Sequence, residues 1–470
     1  MSDIYDEEDS FRDNVSTINQ AGKRNWVYAY KPTGRFYNAR SWLTLFYLIV
    51  FFGLPLISYK GEPFMLLNIL ERKFVVFGFV FWSQDFFLFG LTMILFVVFI
   101  IVFTVAFGRL FCGWVCPQTV FMEMVFRRIE FWIEGDAPKQ KALDKMPWNG
   151  EKLRKRGSKW IVFYLFSFLI GNTFLAYIIG KEELFKIITE PIGTHVGGLL
   201  AMMLFSAIFF FVYLWFREQV CTVVCPYGRL QGVLLDRNSV LVAYDYVRGE
   251  PRGKLRKNEE RTLGDCIDCL QCVHVCPTGI DIRNGTQLEC TNCTACIDAC
   301  DNIMDKIGKP RGLVRYASEA TIAENKPFIL TTRLKAYIVL LIALLVVWLV
   351  ILTSRSTVEF QIRKVPGQLY SETADGKIVN MFNVMLINKS HKNFDSLYLK
   401  IDDVKYEIEW VDKQNMRKLV KESIAKSTFF IKIPAENVKK RKDEIVIRLY
   451  NGEHDLDTET TNFLAPVNKK

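Results

Sequence analysis

Eight cysteines between Cys266 and Cys300 constrain this chain more than any other feature. They read C-I-D-C-L-Q-C-V-H-V-C, then thirteen residues beginning at Pro277, then C-T-N-C-T-A-C-I-D-A-C. Each half is C-x2-C-x2-C-x3-C. At that spacing three close thiolates hold one [4Fe–4S] cubane, and the fourth cysteine crosses to the other. The expected sets are Cys266, Cys269, Cys272 and Cys300 for one cluster, and Cys290, Cys293, Cys296 and Cys276 for the second. C-x2-C pairs also bind zinc, but a zinc site closes with four ligands and has no use for a third cysteine two residues on. A chain built around such a segment carries electrons.

The two halves are not identical. Cys276 is followed by Pro277, as in bacterial ferredoxins, whereas Cys300 is followed by Asp301. Proline would help fix the turn around its ligand, so the two loops need not be equivalent. His274 sits between two ligands and reads as a neighbour that tunes the cluster, because four thiolates already suffice.

The whole 470-residue chain is half hydrophobic with a net charge of +10. The basic excess lies beside long apolar runs, so membrane topology explains it better than nucleic acid does. Trp42–Tyr59, Phe86–Phe107, Trp160–Ile179, Val196–Phe216 and Ile338–Leu352 read as five spans. Phe74–Trp82 is apolar but too short to span, and reads as an interfacial or re-entrant piece. Lys and Arg crowd the loop between the second and third spans, from Arg127 to Lys159, while the next loop has only Lys181 and Lys186. The first of these loops is therefore expected in the cytoplasm. Five spans then put the N-terminus and the cysteine run there and the C-terminus outside. All twelve cysteines fall in metal-type motifs, which suits a reducing compartment. Residues 1–40 are polar with an acidic start, Asp6 to Asp9, and read as a cytoplasmic segment and not a secretory leader.

After Arg355 the pattern changes to alternating apolar and polar residues. Val358–Arg363, Ile378–Ile387, Leu397–Ile401, Tyr406–Trp410, Thr428–Ile433 and Glu444–Tyr450 read as short strands, with turn signals at Asp375-Gly376 and Asn451-Gly452. They suggest a small immunoglobulin-type sandwich without its cysteine–tryptophan hallmark, and a docking role with no catalytic constellation.

A repeat lies in the membrane part. G-R-L-F-Cys112-G-W-V-Cys116-Pro117 closes the second span, and R-E-Q-V-Cys221-T-V-V-Cys225-Pro226 closes the fourth. Both are C-x3-C-P at a membrane boundary, so an internal duplication would bring four thiols near a common axis. On a continuous helix each pair would share a face. Proline favours another picture, with Cys116 and Cys225 as N-caps and Pro117 and Pro226 opening new helices. A helix N-terminus would favour thiolate, and soft sulfur suits Cu(I) or a further iron–sulfur cluster. Met122 and Met124, close behind Cys116, are soft as well, though packing is their commoner use.

With these motifs in view, the chain resembles the cytochrome c oxidase accessory protein family, the CcoG/FixG/RdxA type. The likeness rests on G-R-L-F-C-G-W-V-C-P-Q-T-V, C-T-V-V-C-P-Y-G-R-L-Q, C-P-T-G-I-D-I-R-N-G-T-Q-L-E-C-T-N-C-T-A-C-I-D-A-C-D and D-G-K-I-V-N-M-F-N. It covers nearly the whole chain outside the acidic start, and Asp301 is ordinary within it. The resemblance implies a multi-domain protein of a bacterial inner membrane: a helical transmembrane bundle, an inserted two-cluster ferredoxin-like domain and a C-terminal immunoglobulin-like β-sandwich. The expected organisation is a cytoplasmic segment, 1–40; a four-span membrane domain, 41–236; a cytoplasmic [4Fe–4S] domain, 237–334; a fifth transmembrane helix, 335–354; and a periplasmic β-domain, 355–470.

The activity implied is cupric reduction. Electrons reach Cu(II) through the eight cluster cysteines, and the Cu(I) supplies assembly of a C-family (cbb-type) haem–copper oxidase. Cys112, Cys116, Cys221 and Cys225 become the candidate catalytic and copper-binding set. Implied partners are lipid, copper ions, an electron donor, and oxidase assembly factors or copper chaperones. A similar C-x3-C-P pair in quinol-dehydrogenase-type membrane ferredoxins supplies a second reading, a quinol-linked conduit. A third is an assembly scaffold with structural clusters.

Overall fold

The computed structural model describes residues 24–466 apart from 60–61, 70–72, 82–84, 256–262, 355, 368, 391, 412–417, 422 and 439. The acidic start at Asp6–Asp9 and Trp82 lie outside the described residues. Among those described, five helices are long and apolar enough to cross a membrane: Arg35–Leu56, Phe86–Phe107, Gly150–Ile179, Val196–Phe216 and Thr332–Thr353. A helix satisfies its backbone hydrogen bonds internally, so long apolar runs take this form in hydrocarbon. Their apolar side chains stay open, as at Val339, Leu340 and Ile342 on the last of them.

The first span begins at Arg35, earlier than the apolar run at Trp42. No side chain of its own segment caps its start. The cap comes from far along the chain: Asp298, inside the second cysteine motif, accepts from the backbone N–H of Phe36 at 3.1 Å and of Tyr37 at 2.8 Å. A carboxylate there satisfies two orphan donors and meets the positive end of the helix dipole. The third span also starts early, where Asn149 Oδ1 accepts from the Lys152 N–H at 2.8 Å. The third and fourth spans approach closely at Gly171, where a Cβ would lie 3.1 Å from Ser206 Oγ. Small residues permit such contact between membrane helices.

The piece from Phe74 folds as β-structure. Met65–Asn68, Lys73–Val76 and Phe79–Phe81 form an antiparallel sheet. Its alternation buries Leu66, Val75 and Val80 together. Phe77 and Gly78 turn the second hairpin at φ 52° and 79°, the paired left-handed geometry of a tight primed turn. A period of two prevailed here over overall apolarity.

The chain divides into two compact units. One holds the described residues up to Leu56 together with Gly90–Val346; the other joins Ile57–Phe89 to Val347–Lys470. The cysteine segment is thus part of one body with the helices, because the span-one cap and the contacts below tie it there. Residues 24–40 are likewise no free tail: Ala29 is buried, and the Tyr30 N–H donates to His274 O at 2.9 Å.

In the second unit, strands Glu407–Trp410, Ile424–Pro434, Lys377–Asn388 and Val358–Lys364 form one sheet in that order, with Ser371–Glu372 alongside. Leu397–Ile401, Lys442–Asn451 and His454–Leu464 form another. Phe360, Phe382, Phe429, Ile447 and Phe463 fill the core. The last strand was not foreseen. It is polar and largely open, an edge strand held by pairing with Lys442–Asn451 across the Asn451-Gly452 turn. Asn380, of the D-G-K-I-V-N motif, donates to Leu464 O at 2.7 Å and accepts from its N–H at 3.0 Å, joining the two sheets.

Candidate metal centres

The two cysteine motifs share one backbone. In the first, Asp268 and Leu270 flank Cys269 at φ 52° and 59°; in the second, Asn292 and Thr294 flank Cys293 at 52° and 65°. Left-handed conformations are costly for side-chain-bearing residues and persist where the surroundings demand them. Here the demand is a loop that wraps three thiols around one space.

Two such spaces exist. Cys266, Cys269, Cys272 and Cys300 line one, with an empty volume of about 360 Å³. Cys276, Cys290, Cys293 and Cys296, with Cys272 at the edge, line the other, about 350 Å³. The structure therefore brings Cys300 to the first motif's thiols and Cys276 to the second motif's. Burial pushes the free thiols of Cys272, Cys290 and Cys300 up to about 12. Thiolates so placed need a cation to hold their charge, and the two sets of four fit a sulfur-ligated cubane each. His274 lines neither space, and its ring packs against Tyr30 with centroids 5.4 Å apart. Asp301 takes the place of a ferredoxin proline by bonding: its Oδ1 accepts from the Gly312 N–H at 2.9 Å, and its Oδ2 meets Arg35 at 3.4 Å.

The C-x3-C-P repeat is visible bond by bond. Cys116 N donates to Phe111 O at 2.9 Å, and Cys225 N donates to Val220 O at 2.8 Å, the same five-residue closure in each half. Cys116 and Cys225 then occupy the N-cap positions, with Pro117 and Pro226 opening the next helices. Four residues before the first cysteine of each pair the backbone turns left-handed, at Gly108 (φ 54°) and Arg217 (φ 49°). Glycine accepts this freely; arginine does not. Arg217 is held by its buried guanidinium, which reaches Glu130 Oε1 at 3.2 Å and Oε2 at 3.0 Å. Burial alone would raise the Glu130 carboxyl, but Arg217, Lys159 and Arg127 outweigh it and hold it at about 2.

The four boundary thiols lie near enough to act on one another across the repeat. The two that do not cap a helix, Cys112 and Cys221, are governed by burial. Burial raises Cys112 to about 11, against an opposing hydrogen bond from Gln231, and raises Cys221 to about 12. Gln231, fully buried in the C-P-Y-G-R-L-Q segment, donates from Nε2 to Cys112 Sγ at 3.3 Å. Among the described residues no three or more His, Cys, Asp or Glu side chains close on a single ion.

Both thiol sets meet at a seam. Arg109 donates to Gly228 O and Leu288 O, and reaches Cys290 O at 3.4 Å. It thereby joins the two halves of the repeat to the second cluster loop. At Gly113 a Cβ would stand 2.5 Å from Thr291 O, so no side chain fits between Cys112's helix and that loop. A narrow gap runs between Thr119, Met122 and Cys221 on one side and Pro277, Thr278 and Thr291 on the other. Met124 is buried elsewhere, in a space shared with Tyr30 and Arg40.

Comparison with known proteins agrees with these centres. Residues 216–319 match a family model described as a 4Fe-4S dicluster domain, and residues 89–138, which include Cys112 and Cys116, match a 4Fe-4S binding domain. Residues 348–466 match the "IG-like fold at C-terminal of FixG". Protein RdxA of Cereibacter sphaeroides is 34% identical over 381 residues, 78% of this chain and 80% of that protein. This chain belongs to the FixG/RdxA family. The nitrogen fixation protein FixG of Rhizobium meliloti is 36% identical over 313 residues, 64% of this chain and 59% of its own length. A crystal structure of a FixG-related protein from Vibrio parahaemolyticus covers 24% of this chain and all of that one at 14% identity, with a TM-score of 0.20, too low to bear on the fold. As a FixG/RdxA-type protein, the chain is a membrane iron–sulfur electron-transfer protein with an immunoglobulin-like C-terminal domain.

Sequence reading missed Arg109, Arg217, Gln231 and Asp298. Each stands within four residues of a motif cysteine, except Gln231, six beyond Cys225. That nearness was the available signal. Their partners lie up to 262 residues away, and no local pattern names them.

Proposed function

We propose that this protein reduces Cu(II) to Cu(I) at the membrane boundary, for the copper centre of a C-family (cbb-type) haem–copper oxidase. Cys266, Cys269, Cys272 and Cys300 hold one [4Fe–4S] cluster, and Cys276, Cys290, Cys293 and Cys296 hold the other. Such clusters carry one electron at a time, which matches the one-electron reduction of Cu(II). Cys112, Cys116, Cys221 and Cys225 receive the copper ion, and soft sulfur favours the reduced product. In this reading copper is the substrate, bound on its way through and released as Cu(I). The observation that carries this reading is the gap between Cys221 and the Thr278–Thr291 wall of the second cluster space.

The purified, reduced protein is expected to turn Cu(II) into Cu(I), trapped by a Cu(I)-specific chelator. Oxidation by an added quinone with no Cu(I) formed would make it a quinol-linked conduit. Inertness toward both, with clusters intact, would make it an assembly scaffold.

The same reading puts the clusters in the cytoplasm of a bacterial inner-membrane protein, facing an electron donor. The β-domain is periplasmic, where copper chaperones or oxidase assembly factors dock. Three considerations support this: the basic loop after the second span, the redox needs of thiolate ligands, and parity. If all five helices cross, Ile57–Phe89 and the C-terminal domain lie on one face, and these are the segments that form one unit. A reporter fused after Lys470 should therefore report periplasm, and one at Glu259 cytoplasm. Both on one side would remove the fifth crossing.

A further inference from the structure

The two cluster spaces differ in what surrounds them. Around the first, Cys269, Leu270 and Gln271 are exposed. Around the second, Thr278, Thr291, Asn292 and Thr294 are all buried, and the loop abuts the Cys221 gap. Cys272 lines both spaces and so stands between them. The order outward from the membrane boundary is thus Cys221, then the Cys276/Cys290/Cys293/Cys296 set, then Cys272, then the Cys266/Cys269/Cys300 set at the surface.

The sulfurs are also dressed differently. On the inner side the Thr278 hydroxyl lies 3.3 Å from Cys276 Sγ. On the outer side the Tyr244 hydroxyl hydrogen-bonds Cys266 and is shared with Glu250 Oε1 at 3.1 Å. Hydrogen bonds to cluster sulfur and shielding from solvent both move the reduction potential. A donor that serves a thiolate alone stabilises the extra negative charge of the reduced state more than one shared with a carboxylate.

We infer that Thr278 sets the potential of the buried inner centre, that Tyr244 sets that of the outer one, and that the inner centre faces the boundary thiols while the outer faces the soluble donor. One electron from a one-electron reductant on the soluble side thus passes inward for each Cu(II) reduced, with no proton or bond change required of the protein. This order rests on the two-cluster assignment above but not on copper as the acceptor.

The test uses the full-length protein in detergent, reduced stepwise with dithionite and followed by EPR. Thr278→Val keeps shape and removes the hydroxyl; Tyr244→Phe does the same outside. Each variant is expected to move one midpoint potential to a more negative value and leave the other in place, the two variants acting on different signals. Dysprosium–EDTA, a paramagnetic relaxant confined to water, should speed relaxation of the Tyr244-sensitive signal and spare the Thr278-sensitive one. A reversed dysprosium response overturns the order, and a Thr278→Val variant that moves neither or both midpoints overturns the tuning role. Iron and sulfide well below the content of two [4Fe–4S] clusters in the unaltered protein would instead strike the cluster assignment.

Discussion

Replacing Cys112, Cys116, Cys221 and Cys225 together with serine is expected to abolish Cu(II) reduction while leaving iron and sulfide near the content of two clusters. Serine nearly preserves size and polarity but deletes soft sulfur, the property that distinguishes Cu(I) from harder cations. Loss of outer-sphere partners alone costs metal sites about 10–100-fold, so loss of all four ligands should exceed that in copper binding and rate together. The eight cluster cysteines lie across the Arg109 and Gly113 seam and not among the replaced groups, so the EPR signals should persist. Loss of about a third of the iron would assign the four thiols to a third cluster, in keeping with the 4Fe-4S binding model over residues 89–138. Unchanged copper reduction would leave these cysteines as packing.

A second large effect is expected from one atom in the wrong-looking motif. Cys300→Ser should damage the same centre as Cys272→Ser, although Cys300 closes the second C-x2-C-x2-C-x3-C run. Cys300 lines the space of Cys266, Cys269 and Cys272, and the charges that raise its thiol are, after burial, those of Cys272, Cys269 and Cys266. Cys276→Ser should act on the other centre, beside Cys290, Cys293 and Cys296. EPR of the reduced single variants separates the outcomes: Cys272→Ser and Cys300→Ser lose one signal in common, and Cys276→Ser loses the other. If Cys300→Ser instead removed the signal that depends on Cys293, the crossing would be wrong.

Much of this architecture was legible in the sequence because it depends on short-range periodicity. Apolar runs become helices wherever the backbone must satisfy itself, so all five spans were found, with errors only at their ends. Strict alternation found most strands of the sandwich. Cysteine spacing picked out the two sets of four thiols that the fold gathers, because three thiols from a single loop must close on one space. The C-x3-C-P repeat also showed where the N-caps would fall, since proline dictates the conformation before it.

What the tertiary structure alone decided are the matters that depend on partners distant in the chain. Asp298 extends the first span back to Arg35 from 262 residues away. Arg217 keeps a left-handed turn where its repeat partner is glycine, because Glu130 holds its side chain. The Phe74 segment became a hairpin, and the polar strand His454–Leu464 joined a sheet on hydrogen bonds that composition does not reveal. Burial also raised the thiols of Cys112 and Cys221, the two boundary cysteines that do not cap a helix, and spacing gives no sign of that. Spacing determines which residues can serve a centre. Burial, charge and distance, which only the folded chain brings together, decide how they serve it.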